Sequence, residues 1–157
     1  MKKEIAIMIQ TTLAGVGAFL SAKLGILYPV LCILAVMMFI DYISGMLASQ
    51  VESLDHPDDK NYGWNSKKGA KGIIKKFGYI STIAVAMVID YVIVSVSAKL
   101  NIKMPATALF GLLVTVWYIL NESLSIIENA GRMGAPVPEW LRKYIAVLKD
   151  KIDKQVE

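Results

Sequence analysis

Four long apolar runs, separated by short polar breaks, set the frame of this chain: residues 5–22, 26–49, 77–98 and 104–127. Each run is 18 to 24 residues long. At 1.5 Å per residue the longest reach about 36 Å, enough to cross ~30 Å of hydrocarbon. No segment alternates with period two, so a lipid-facing barrel strand is excluded and the runs must satisfy their backbone as helices. The pattern predicts an all-α integral membrane protein with about four spans.

The breaks carry turn chemistry. Lys23-Leu24-Gly25 joins the first two runs as a tight helical hairpin, with Gly25 free to take positive φ. Pro29 and Pro105 fall in first turns, where no intrahelical donor is lost. The first run follows Met1-Lys2-Lys3-Glu4, a start shared by signal peptides and anchors. Leu20 precedes Ser21-Ala22, so no small-x-small cleavage site follows and a retained helix is expected. A three-span arrangement, with the first run on the surface, is the alternative.

Residues 50–76 are polar, contain Pro57 and Gly63, and predict a basic loop ending in Lys67, Lys68, Lys71, Lys75 and Lys76. Lys99 to Lys103 predicts a short turn. After Glu128 come Gly131, Gly134, Pro136 and Pro138, and the pattern then changes. Leu141, Tyr144, Ile145, Leu148 and Ile152 recur at helical spacing, with Arg142, Lys143, Lys149, Asp150 and Lys154 elsewhere, so residues 139–157 predict an amphipathic helix. The organisation expected is a transmembrane domain, 1–130, and a cytoplasmic tail, 131–157. Trp140, Arg142 and Lys143 suit a lipid headgroup layer, as do the loop lysines. A two-heptad coiled-coil seam is a weaker reading of the tail.

Charge placement gives the orientation. With four spans, fourteen of the seventeen lysines and arginines share the side of both termini, and Lys23, Lys99 and Lys103 lie on the other. The positive-inside rule then predicts both ends on the cytoplasmic side of the membrane. A hydrophobic content of 55 % and a mean hydropathy of +0.52 exclude an ordinary soluble domain. Nothing implies nucleic acid.

Candidate chemistry is sparse. Cys32 has no partner in the chain for a disulfide or metal site, and His56 beside Asp55, Asp58 and Asp59 reads first as a solvated loop. No phosphate-binding loop or nucleophile with a histidine base occurs, so neither an enzyme nor a cofactor is expected. Asn121-Glu122-Ser123 fits a glycosylation pattern but falls inside a run. Three carboxylates remain: Glu122, Asp41 and Asp90, about 8, 12 and 20 Å from the inner ends of their runs. A charge at the bilayer centre costs at least ~2.5–3.5 kcal/mol, so each needs a partner or water.

Each carboxylate sits on a polar or small stripe at helical spacing. Asp41 joins Ser44, Gly45 and Ala48; Asp90 joins Thr82 and Ala86; Glu122 joins Gly111, Thr115, Tyr118 and Ser125, with Asn121 beside it. Ala14, Ala18 and Ala22 offer the first run a similar small face. Helix packing and pore lining explain these stripes equally well. Asp41 and Glu122 lie within reach of Lys75 and Lys76 and read as paired structural groups. Asp90 reads as the better candidate for a titrating group in an aqueous path.

Several segments together resemble the phage holin group that includes toxin-secretion holins of Gram-positive bacteria. They are Ile40-Asp41-Tyr42-Ile43-Ser44-Gly45, the basic stretch Asn65 to Lys76, Ile89-Asp90-Tyr91, and Tyr118 to Asn129 running through Gly134-Ala135-Pro136-Val137-Pro138 to Leu141. The resemblance covers nearly the whole chain, with residues 52–64 matching least. It implies a protein that oligomerises in the cytoplasmic membrane and opens lesions releasing an endolysin or a secreted toxin. It transfers no catalytic residue. A small ion channel or proton-coupled transporter using Asp90, and a scaffold acting through the amphipathic tail, are the alternatives.

Overall fold

A computed structural model describes residues 1–59, 62–102 and 109–156. Lys60, Lys103 and the expected start of the fourth run at Met104 and Pro105 lie outside the described residues, as does the side chain of Lys154. The described elements are five helices: α1 (Lys2–Leu24), α2 (Leu27–Asp55), α3 (Ser66–Lys99), α4 (Leu109–Arg132) and α5 (Glu139–Val156). Helices α1 to α4 are long and apolar enough to cross a membrane. The chain is all-α, with an amphipathic fifth helix as the period predicted.

The α1–α2 turn closes at Gly25, whose φ of 53° and ψ of −127° suit a residue without Cβ, and whose N–H returns to the Ser21 carbonyl at 2.9 Å. Pro29 stands in the first turn of α2.

The expected loop over 50–76 is mostly helix. Helix α2 continues to Asp55 and α3 already starts at Ser66. Asn65 supplies the physical reason: its side chain accepts from the Lys67 N–H at 2.9 Å and caps the helix. The lysine-rich stretch is thus a polar extension of a spanning helix. Lys67, Lys68, Lys71 and Lys75 stay exposed on it, and Lys76 turns inward.

The bundle core is made by α2, α3 and α4. Leu27 of α2 meets Gly111 of α4 near one end, and Asp41 meets Asn129 near the other, so α2 and α4 run parallel. Helix α3 runs antiparallel to both, with Asp90 at the first level and Lys76 at the second. Between them lies an apolar centre of Leu34, Tyr79, Ile83 and Tyr118, the two tyrosine rings stacked at 3.9 Å. Much of the outer surface of this core is apolar and exposed, as lipid contact demands.

Two elements attach differently. Helix α1 has no buried residue, and Ala14, Ala18 and Ala22 are exposed on it. Helix α5 does not stand apart as a separate tail. It folds back along α4, where Lys149 donates to the Asn121 carbonyl oxygen at 3.0 Å and the Trp117 indole N–H donates to Asp153 at 2.6 Å. Its Trp140 and Tyr144, with Arg142 and Lys143, remain exposed on the far side.

Three helices approach closely at Gly111. A Cβ there would stand 3.2 Å from Asp90 Oδ2, 3.2 Å from Met87 Cγ and 3.3 Å from Leu27 Cδ2. Gly111→Val is expected to destabilise the bundle by about 1–3 kcal/mol. Thermal unfolding of the detergent-solubilised chain measures it; an unchanged midpoint overturns this packing.

Candidate functional site

Three helices bring their charged side chains to one level. Lys76 on α3 sets its ammonium between Asp41 on α2, 2.7 Å from Oδ2, and Glu122 on α4. Glu122 is 1 % exposed, Lys76 13 % and Asp41 16 %, so the group is shielded from bulk water. Such burial is tolerable only when each charge keeps its partner and its remaining lone pairs are satisfied.

The remaining lone pairs are satisfied by α4. Asn129 donates its amide to Asp41 Oδ1 at 3.3 Å and to the Ser44 hydroxyl at 3.1 Å. Ser44 in turn donates to the Asp41 backbone carbonyl at 3.0 Å. Arg132 donates to the Asn129 carbonyl oxygen at 2.9 Å and grips Glu52 as a fork, at 2.7 and 2.8 Å. A continuous polar ladder therefore climbs from Glu52 to Glu122. Among the described residues no buried side-chain nitrogen or oxygen lacks a hydrogen-bond partner.

Asp90 sits about 21 Å away, fourteen residues along α3. Its two carboxylate oxygens accept from the Phe110 N–H at 2.9 Å and the Gly111 N–H at 2.7 Å. A side chain from one helix thus caps the first turn of another, where the helix dipole favours an anion. Gly111 permits this approach because it has no Cβ. Thr115, fully buried one turn on, donates to the Gly111 carbonyl at 2.6 Å.

The structure brings Asp41, Ser44, Gly45 and Glu122 together as one cluster, and Asp90 with Gly111 as another. Asn121 instead links α4 to α3 and α5, donating to the Tyr79 hydroxyl at 2.6 Å and accepting from Lys149 at 3.0 Å. Ser125 borders the first cluster. Lys76 is not a membrane-surface residue, because two carboxylates draw its ammonium inside. Sequence reasoning missed Asn129, Arg132 and Glu52. Asn129 was findable, since 122, 125 and 129 continue the helical stripe; the Arg132–Glu52 fork had no local signal.

Among the described residues no group of three His, Cys, Asp or Glu side chains is placed to hold a metal ion. His56 rests against the Tyr62 ring, with centroids 4.3 Å apart. The arrangement can hold helices in register and keep charges paired at membrane depth.

Comparison with known proteins bears on what this scaffold serves. The model of a family described as the bacteriophage holin family matches residues 18–150. An uncharacterised protein of Halalkalibacterium halodurans is 36 % identical over 137 residues, covering 85 % of this chain and 90 % of that protein. An uncharacterised protein of Listeria innocua is 30 % identical over 151 residues, covering 96 % and 94 %, and one of Clostridium perfringens is 29 % identical over 118 residues, covering 75 % and 73 %. No solved structure matches.

Replacing Lys76 with Met strands two carboxylates in a buried site, and is expected to cost about 3–5 kcal/mol in detergent unfolding. Adding Asp41→Asn and Glu122→Gln should recover much of that loss; a triple variant no more stable than the single one overturns the charge explanation. Glu52 stands beyond the apolar run of α2, and its hydrogen bonds to Arg132 hold its carboxyl below the ordinary glutamate value. A depressed folded value means the stabilisation is complete above the unfolded pKa of about 4.3 and is lost as pH falls through the folded one. At this half-exposed site it amounts to no more than about 1 kcal/mol. The acid-side fall in melting temperature should shrink by that amount in Glu52→Gln, and an unchanged profile overturns the assignment.

Proposed function

From the premise that the chain belongs to the bacteriophage holin family, we propose that it associates with itself in the bacterial cytoplasmic membrane. There it opens lesions through which an endolysin or a secreted toxin leaves the cell. The observation that carries this reading is the family match, which begins within α1 and runs through α2, α3 and α4 into α5.

Two features of the fold support it. Much of the outer surface of the bundle is apolar, and α1, which buries no residue and touches only α2 among the described helices, leaves most of its surface open to lipid or to another copy. Antiparallel packing of α3 against the parallel pair α2 and α4, together with the α1–α2 hairpin, is consistent with both termini and the lysine-rich start of α3 on the cytoplasmic side. The proton-relay alternative loses support at Asp90, whose two oxygens are already occupied by backbone N–H groups.

Induced expression in a bacterial host is expected to collapse the membrane potential and stop growth. With an endolysin co-expressed, it should release cytoplasmic protein. Continued growth at full membrane potential, with the chain present in the membrane, overturns the proposal. Conductance to ions alone, with retention of dyes and proteins at every expression level, assigns the chain to small channels instead.

A further inference from the structure

The start of α3, the middle of α2 and the end of α4 enclose a cavity of about 260 Å³, outside the paired carboxylate cluster but sharing a wall with it. That is many times a water molecule's share of about 30 Å³. Its chemistry is one-sided. The acid on its wall, Asp41, is spent, with Oδ2 on Lys76 and Oδ1 on Asn129. Three donors on its other wall are not. The Trp64 indole N–H and the Tyr42 hydroxyl converge over Gly69, 3.8 and 3.4 Å from where a Cβ would stand, and neither has a hydrogen-bond partner in the described chain. Lys68, on the turn before Gly72, adds an ammonium that feels the Glu52 carboxylate without forming a close ion pair with it.

Depth gives the cavity a context. Gly72 and Gly69 precede the apolar run at Phe77 by five and eight residues, or about 8 and 12 Å along the helix. The headgroup layer on one side of a bilayer is about 5–8 Å thick, given ~30 Å of hydrocarbon within ~40–45 Å overall, so Gly72 lies at its outer edge and Gly69 just beyond it. Three exposed neighbours, Lys67, Lys71 and Trp64, share this level. An indole N–H and a phenol over Gly69, with a lysine on the same lining, suit an oxyanion with several acceptor oxygens, because charge-assisted donors favour phosphate oxygens over neutral acceptors.

We propose that this cavity is a phosphate-binding site, and that its occupant is the phosphate of an anionic phospholipid in the inner leaflet. The glycines keep it open: at Gly72 a Cβ would meet nothing within 4 Å, so a larger side chain there enters the cavity without clash. Binding is independent of lesion formation and is read without it.

The full chain is purified in a glycoside detergent free of phosphate and titrated with dihexanoyl phosphatidylglycerol, or with inorganic phosphate at matched ionic strength. Binding is read as the rise in melting temperature and its saturation. Saturable binding is expected, weakened about tenfold by Lys68→Gln, as loss of one charge-assisted bond implies, and abolished by Gly72→Leu. Lys143→Gln, with its charge on the far face of α5, should bind as the parent does. Both test variants should keep the parent's unliganded melting temperature. Tighter binding of the phospholipid than of phosphate assigns the lipid; equal binding overturns the lipid and leaves a free phosphate site. Absence of saturable binding, or unchanged binding by Lys68→Gln and Gly72→Leu, overturns the site.

Discussion

The ammonium of Lys76 has to find two carboxylates before this bundle can close. In a bilayer, apolar faces gain nothing by leaving lipid for one another, so contacts between helices depend on packing and on polar pairs. A lysine on α3, flanked by an aspartate on α2 and a glutamate on α4, selects one rotation and one height for all three helices. Any slip by a turn would strand a charge at a cost of several kcal/mol.

The second pin is Asp90, about 21 Å away along α3. It binds backbone N–H groups, so it fixes where α4 begins, and the side-chain identities at 110 and 111 matter only through the missing Cβ of Gly111. Two polar layers, one at each end of an apolar centre, leave the core little freedom to slide. Helix α1 is joined to the rest by a glycine turn and buries nothing. Helix α5 is held along α4 by hydrogen bonds through Trp117 and Asn121, with Lys149 also over the Trp117 ring at 4.4 Å. The three-helix core, the lightly attached α1 and the docked α5 are therefore distinct parts of one chain.

How much of this was legible depended on whether a signal was local. Apolar length and the Gly25 turn announced the spans and the hairpin, because lipid imposes its thickness directly on sequence. The need of Asp41, Asp90 and Glu122 for partners was legible from cost alone, and nearby lysines suggested a pairing for two of them. The partner of Asp90 was not, since backbone donors carry no side-chain signature. The helical start of α3 was hidden by composition: lysines and two glycines resemble a loop, and only the Asn65 cap marks the boundary. The docking of α5 rests on Trp117 and Asn121 meeting residues some thirty positions away, and no periodicity encodes that.

Pairing also bears on where a lesion's wet surface comes from. Had the intramembrane carboxylates been unpartnered, they would have been natural candidates to line water. Instead Asp41, Glu122 and Asp90 each spend their oxygens on donors within the same chain. Exposing them would mean parting α2, α3 and α4 and leaving Lys76 unpaired, at a cost of several kcal/mol per chain. An assembly of many copies would multiply that cost. Opening contacts between copies costs far less, because the outer faces of the bundle and of α1 are held by no polar bond to the core. On the proposed reading, the buried charges would keep each copy intact while any opening forms between copies.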